Sequence, residues 1–199
     1  KHRAAMGHVP IAEKKNHWQL SQDCYYPISW APCGSVLTLS AADLITFAEA
    51  HLNNGKTENG AAWLSPASTQ QMQQARIKLP PYTLMTFTHC ALGWHLIKRD
   101  QSTLVGHYGL GPGQRSMLHM VPEHNFAIAA LHNSTNAALL PSLLDEVLTE
   151  LINIKLNLTE PFERKTFPLN LVPLLGTYQT ILSRVNISNV NDQLMATII

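Results

Sequence analysis

Apolar and polar residues alternate along this chain in more than one period, and each period predicts a different element. After Thr38-Leu39-Ser40, the residues Leu44, Phe47, Ala48 and His51-Leu52 recur at the spacing of one helix face. Ser40 offers an N-cap oxygen, and Asp43 stands three residues later as an acidic capping partner near the positive end of the helix dipole. Asn53-Asn54-Gly55 supplies a left-handed stop. A second, shorter helix is predicted from Ser65-Pro66, with proline at the first helical position, through Met72 to about Ala75, and Pro80-Pro81 closes that region. From Ala91 the period falls to two, and strands are predicted over 91–98, 103–108, 115–121 and 125–132. They are joined by Arg99-Asp100-Gln101, by Gly109 to Gly113, and by Pro122-Glu123-His124-Asn125. Connections this short favour antiparallel neighbours. A helix over 137–153 follows, with Leu140, Leu144, Val147, Leu148 and Leu151 on its apolar face. A meander followed by an amphipathic helix buries both apolar faces against each other, an α+β arrangement.

The flanks read differently. Residues 1–34 lack a sustained period and are interrupted by Pro10, Pro27 and Pro32, which predicts a long loop packed by Trp18, Tyr25, Tyr26 and Trp30. Residues 155–173, with Pro161, Pro168 and Pro173, read as a linker. Beyond it, Leu175-Gly176-Thr177-Tyr178 and the alternating residues 194–199 look like the first strands of a small β-rich domain. A piece of that length cannot close a sheet around its own core. The expected organisation is therefore a first domain over 1–154, a linker over 155–173, and the truncated start of a second domain over 174–199.

Composition narrows the classes. The 199 residues are 45% hydrophobic and 14% charged, which is the balance of a folded globular chain. Lys and Arg number 14 against 13 Asp and Glu, a formal net charge of +1 with no basic run, so nucleic acid is a poor candidate partner. No apolar window is long enough to span a membrane, and Lys1-His2-Arg3 leads into no signal core within this chain. Cys24, Cys33 and Cys90 are odd in number and do not form a disulfide framework.

Candidate chemistry is sparse. A serine nucleophile needs a nearby base and a pair of N–H donors for the oxyanion. No G-x-S-x-G occurs, and none of the twelve Ser-x-x-x windows from Ser21 to Ser188 ends in Lys. Ten histidines invite a metal reading, and His89, Cys90, His95, His119, His124 and His132 can be grouped, but neither H-E-x-x-H nor C-x2-C spacing occurs. Surface or hydrogen-bonded strand positions are the plainer expectation for most of them. No cofactor is implied. One segment stands apart: Gly106-His107-Tyr108-Gly109-Leu110-Gly111-Pro112-Gly113 holds four glycines in eight residues. It permits close approach of backbone to another group, and taken alone it reads equally well as a glycine-rich hairpin turn.

The order of these pieces resembles a known family. Pro32-Cys33-Gly34-Ser35, Leu39-Ser40-Ala41-Ala42-Asp43-Leu44, Leu52-Asn53-Asn54-Gly55, Leu64-Ser65, Met72, Ala91-Leu92-Gly93-Trp94, Gly106-His107-Tyr108-Gly109, Pro112-Gly113, Met120-Val121-Pro122-Glu123 and Leu131-His132-Asn133 look like the C-terminal half of the class C β-lactamase-like serine hydrolases. That family includes β-lactamases, D-alanyl-D-alanine carboxypeptidases and related esterases. The resemblance covers about residues 4–153 and rests on many weak motifs in the right order.

The resemblance implies a β-lactamase/transpeptidase-like α+β fold, an antiparallel sheet flanked by helices, here as an incomplete C-terminal portion. It implies an acyl-enzyme mechanism with three boxes, Ser-x-x-Lys, Tyr-x-Asn and Lys-Thr-Gly or His-x-Gly, of which only the third is present, as His107-Tyr108-Gly109. By that match His107 stands beside the substrate carboxylate or aids proton transfer, Gly109 allows close approach, and the N–H of Leu110 is one oxyanion donor. Members commonly carry Gly or a small residue where Leu110 stands, so the leucine narrows the site without abolishing the donor. His107 is expected at a strand end beside the glycine turn, partly exposed to a groove.

The chain is accordingly expected to be part of a longer enzyme acting on β-lactams, D-Ala-D-Ala peptides or small esters, periplasmic or extracytoplasmic by resemblance, and inactive by itself. The alternative is a naturally short, non-catalytic binding protein that keeps the glycine-lined groove. An unrelated α+β protein, including a metal-binding one, is a third reading. Because the strands near 115–132 should expose unpaired backbone groups, a homo-oligomer through sheet edges is expected.

Overall fold

The computed structural model describes residues 4–11, 14, 17–22, 29, 37–79, 87–156, 172–179, 184–190 and 193–198. The chain divides into two compact units, Lys1–Glu160 and Pro161–Ile199.

In the first unit the helices start where the capping residues place them. Helix α1 spans Ala41–Leu52, and a complete capping box holds its start: the Asp43 N–H donates to Ser40 Oγ, and the Ser40 N–H donates to the Asp43 carboxylate at 2.9 Å. These bonds hold the Asp43 carboxyl below its ordinary pKa. Helix α2 spans Pro66–Gln73, capped by Ser65 Oγ accepting from the Ser68 N–H at 3.0 Å. Helix α3 spans Leu139–Ile152 and ends on Asn153 in the left-handed conformation.

The strands are β1 (His8–Pro10), β2 (Trp18–Leu20), β3 (Ile77–Lys78), β4 (His89–Cys90), β5 (His95–Arg99), β6 (Ser102–Gly111), β7 (Gln114–Val121) and β8 (Phe126–His132). β3 to β8 form one antiparallel six-stranded sheet whose spatial order is their chain order. This meander is what the short polar turns require. Its two faces are covered separately. Ile97, Leu104, Met117 and Val121 pack with Leu140, Leu144 and Leu148 of α3. Leu96, Val105, Leu118 and Met120 pack with Ala48 of α1, which lies on β7 and β8. Neighbours in sequence thus serve opposite cores, as a period of two demands.

Four expectations need correction. Residues 1–34 are not wholly irregular, since β1 and β2 pair antiparallel with His8 opposite Leu20; strands of three residues are too short to show a period. Trp18 is 42% exposed and so does not pack a loop, while Tyr25, Tyr26 and Trp30 lie outside the described residues. The strand predicted over 91–98 begins only at His95, because the Ala91 N–H donates to the Trp94 carbonyl and closes a turn there. The turn expected over Gly109 to Gly113 is shorter, confined to Pro112-Gly113: β6 continues through Gly111, with Gly109, Leu110 and Gly111 opposite Ser116, Arg115 and Gln114. Ladder pairing along β7 overrides the local preference of the glycines. Finally, β7 is an interior strand, so the edge expected near 115–132 is confined to β8.

The second unit contains β9 (Gly176–Gln179), β10 (Arg184–Val190) and β11 (Gln193–Ile198) in an antiparallel sheet of order β11-β10-β9. The predicted linker over 155–173 falls mostly outside the described residues.

Candidate active site

The two halves of β6 have different neighbours. Residues 102–106 pair with β5, ending at Gly106 opposite His95, whereas 107–111 pair with β7 alone among the described residues. β5 simply starts too late in the chain to accompany them. The backbone of His107-Tyr108-Gly109-Leu110 is therefore an open half-edge within the sheet, its side away from β7 paired with no strand among the described residues.

His107 is exposed, and its Nδ1 bonds the backbone carbonyl of Tyr108. A carbonyl only accepts, so Nδ1 carries the proton and Nε2 is the free ring nitrogen. That nitrogen can accept a proton or, once protonated, donate to an anion. The His107 ring lies 4.9 Å from that of His95, on the β5 side of the strand, so the Tyr108 carbonyl that it bonds faces that side too. Every second residue of a strand directs its polar backbone groups alike, which turns the Leu110 N–H to the same open side. The Leu110 side chain is 59% exposed.

Tyr108 turns its ring into the α3-side core, meeting His119 edge-on at 5.0 Å and Phe87 at 5.6 Å. Burial pushes its phenol up to about 12, so it stays protonated at neutral pH. Gly109 makes room for a neighbour: a side chain there would place its Cβ 2.1 Å from Ser116 Oγ. The hydroxyl of Ser116 thus sits against the strand backbone beside Leu110.

Behind the edge runs a cross-strand row, His95, Gly106 and His119, in register on β5, β6 and β7. The His119 ring occupies the space above Gly106, where a Cβ would fall 2.3 Å from His119 Cδ2 and 2.5 Å from the Leu118 carbonyl oxygen. His119 is fully buried and, among the described residues, neither ring nitrogen has a hydrogen-bond partner. Burial, with His107 and His95 adding to it, lowers its pKa to about 3. His95 stacks on Phe87 at 4.4 Å, and burial and then His107 lower its pKa.

All four predicted site residues therefore fall on one strand, with His107 and the Leu110 N–H on the open side and Tyr108 in the core. His95, Ser116 and His119 lie beside them and were not among the predicted residues. The register that joins them is not written in any local spacing, although His95 and His119 were noted as histidines. Among the described residues no three His, Cys, Asp or Glu side chains are grouped to hold a metal ion. Two surface hollows of about 490 and 420 Å³ are lined by Leu52, Asn53 and Glu58 among others and include no residue of β6.

Comparison with known proteins settles the family, because the beta-lactamase family model matches residues 8–147, from β1 to within α3. The chain belongs to the beta-lactamase family. Penicillin-binding protein 4 of Amycolatopsis lactamdurans is 34% identical over 155 residues, which cover 77% of this chain and 40% of that protein. Among solved structures, SurE superposes with a TM-score of 0.65 at 22% identity over 97% of this chain and 43% of SurE. The octameric penicillin-binding protein homologue from Pyrococcus abyssi gives 0.53 at 18% identity over 98% of this chain and 43% of its own. These two likenesses concern the fold. The chain spans less than half the length of the relatives it matches. As a family member, its α+β architecture is that of the β-lactamase/transpeptidase-like fold, an antiparallel sheet between helices, here as a partial domain.

Proposed function

We propose that this chain is the C-terminal part of a serine hydrolase that works through an acyl-enzyme on a β-lactam, a D-Ala-D-Ala peptide or a small ester. The observation that carries the reading is the open half-edge of β6 bearing His107-Tyr108-Gly109-Leu110. An extended acyl group can lie along such an edge, its carbonyl meeting the Leu110 N–H as one oxyanion donor. His107, with its proton fixed on Nδ1, presents Nε2 for proton transfer or, when protonated, for the substrate's acid group. Tyr108 anchors the strand through its buried ring, and Gly109 admits the Ser116 hydroxyl.

The nucleophile in this reading comes from residues outside this chain, because no serine here is followed by lysine at the required spacing. Loss of a nucleophile removes about 10⁴–10⁶ in rate, whereas one oxyanion donor is worth about 10²–10³. The chain alone is then inactive. Assembly into a homo-oligomer through the β8 edge is part of the same proposal, in keeping with an octameric relative in fold.

The test is labelling with a penicillin-type probe read by mass spectrometry. The natural gene product containing this chain should gain a single acyl adduct on a serine outside residues 1–199, and the isolated chain none. His107→Ala in the longer protein should slow acylation about 10²-fold or more. Absence of any adduct on the longer protein, or an adduct on a serine of this chain, would refute the proposal.

A further inference from the structure

The open half of β6 carries one imidazole by the family pattern, yet two stand there. His95, the first residue of β5, has its ring 4.9 Å from that of His107 and inclined at 37°. Its Nδ1 is buried without a partner among the described residues, which leaves Nε2 as the nitrogen able to meet solvent or a ligand. Stacking on Phe87 at an interplanar angle of 13° fixes the ring plane. The titratable groups around the pair are His119 across Gly106 on β7, Tyr108 on β6, and Cys90, which pairs with His95 on β4. Among the described residues no carboxylate is one of them. The charges that His95 and His119 feel are those of other imidazoles.

Such a pair invites an anion. We propose that His95 is a second anion-binding residue of this site, acting with His107 to hold the carboxylate of the substrate and drawing one proton onto the pair as it binds. His107 is the ring that takes the proton: its Nδ1–H is already engaged, so protonation at Nε2 creates the donor that a carboxylate needs. His95 stays neutral, since burial and the nearby His107 charge both disfavour its charged form, and contributes a neutral Nε2–H. One cation and one neutral donor suit one carboxylate. This rests on the hydrolase reading for the substrate's identity but on the two rings alone for the binding.

N-acetyl-D-alanine serves as probe, with its methyl ester as the uncharged control, added to this chain while the imidazole resonances of His95 and His107 are followed by NMR. Calorimetry in two buffers of different ionisation enthalpy counts protons. The acid should bind saturably and with proton uptake, about tenfold or more weaker at about pH 8 than at about pH 6, and the ester should not. His95→Phe keeps the ring on Phe87 without its nitrogens and should weaken binding about tenfold, with an unchanged denaturation midpoint. His95→Gln, which retains an N–H donor, should recover part of that loss.

Equal binding of acid and ester, no saturable response, or wild-type affinity in His95→Phe would overturn the proposal. If His95→Phe binds normally while the longer protein is acylated, this inference fails and the hydrolase reading stands. If the acid binds through both histidines while the longer protein takes no acyl group, the reverse holds.

Discussion

Within β6, residues 102–106 and residues 107–111 belong to one strand and pair with the same partner, β7, yet they have opposite characters. In the first half Leu104 and Val105 are buried on opposite faces, and Gly106 is roofed by His119. In the second, His107 and Leu110 are exposed and the polar backbone on one side meets no strand among the described residues. The difference comes from where β5 begins, and it teaches that one strand can be a core wall where a neighbour accompanies it and an accessible segment where, among the described residues, none does.

The comparison can be broken by substitutions along the strand. Leu104→Ala removes a fully buried side chain from the α3-side core and should cost about 2–5 kcal/mol by urea denaturation. A loss under about 1 kcal/mol would mean that the first half is not the anchored one.

The buried row sharpens it through pH. His119 is neutral in the folded chain down to about 3, whereas the unfolded chain protonates it below about 6.5. The unfolded state binds more protons in that window, so stability rises with pH there and falls as the solution is acidified, by up to about 1.4 kcal/mol per pH unit from this group. His119→Phe should flatten that part of the stability profile. An unchanged slope would show that His119 is not held uncharged.

Gly106→Ala drives a methyl against the His119 ring and the Leu118 carbonyl and should cost about 1–3 kcal/mol. Leu110→Ala, on the open half, should change stability by no more than about 0.5 kcal/mol. If the substitutions at Gly106 and Leu110 gave equal losses, the contrast between the halves would disappear.

Much of the frame was legible in the residues themselves. Ser40 with Asp43, and Ser65 before Pro66, mark helix starts by hydrogen bonds that only nearby residues can make, and the structure has them there. β7 and β8 fall within a residue of their predicted bounds, because short, mostly apolar runs stand there between clear turns. Other parts depend on partners far along the chain. Gly109 and Gly111 favour a turn locally and are straightened by pairing with Ser116 and Gln114. β3 and β4, two residues each, carry no period at all. The site was legible as a motif, His107-Tyr108-Gly109-Leu110, but its open edge, the His95 ring beside it and the His119 ring behind it follow from register, which no local pattern encodes.

The central claim is that residues 107–111 of β6 are an open edge on the side where the Leu110 N–H points. Amide hydrogen exchange on this chain tests it directly. The Val105 amide, whose residue has partners on both β5 and β7, should be protected, and the Leu110 amide should exchange at least about 10²-fold faster. Equal protection of the two amides in the ligand-free chain would contradict the account.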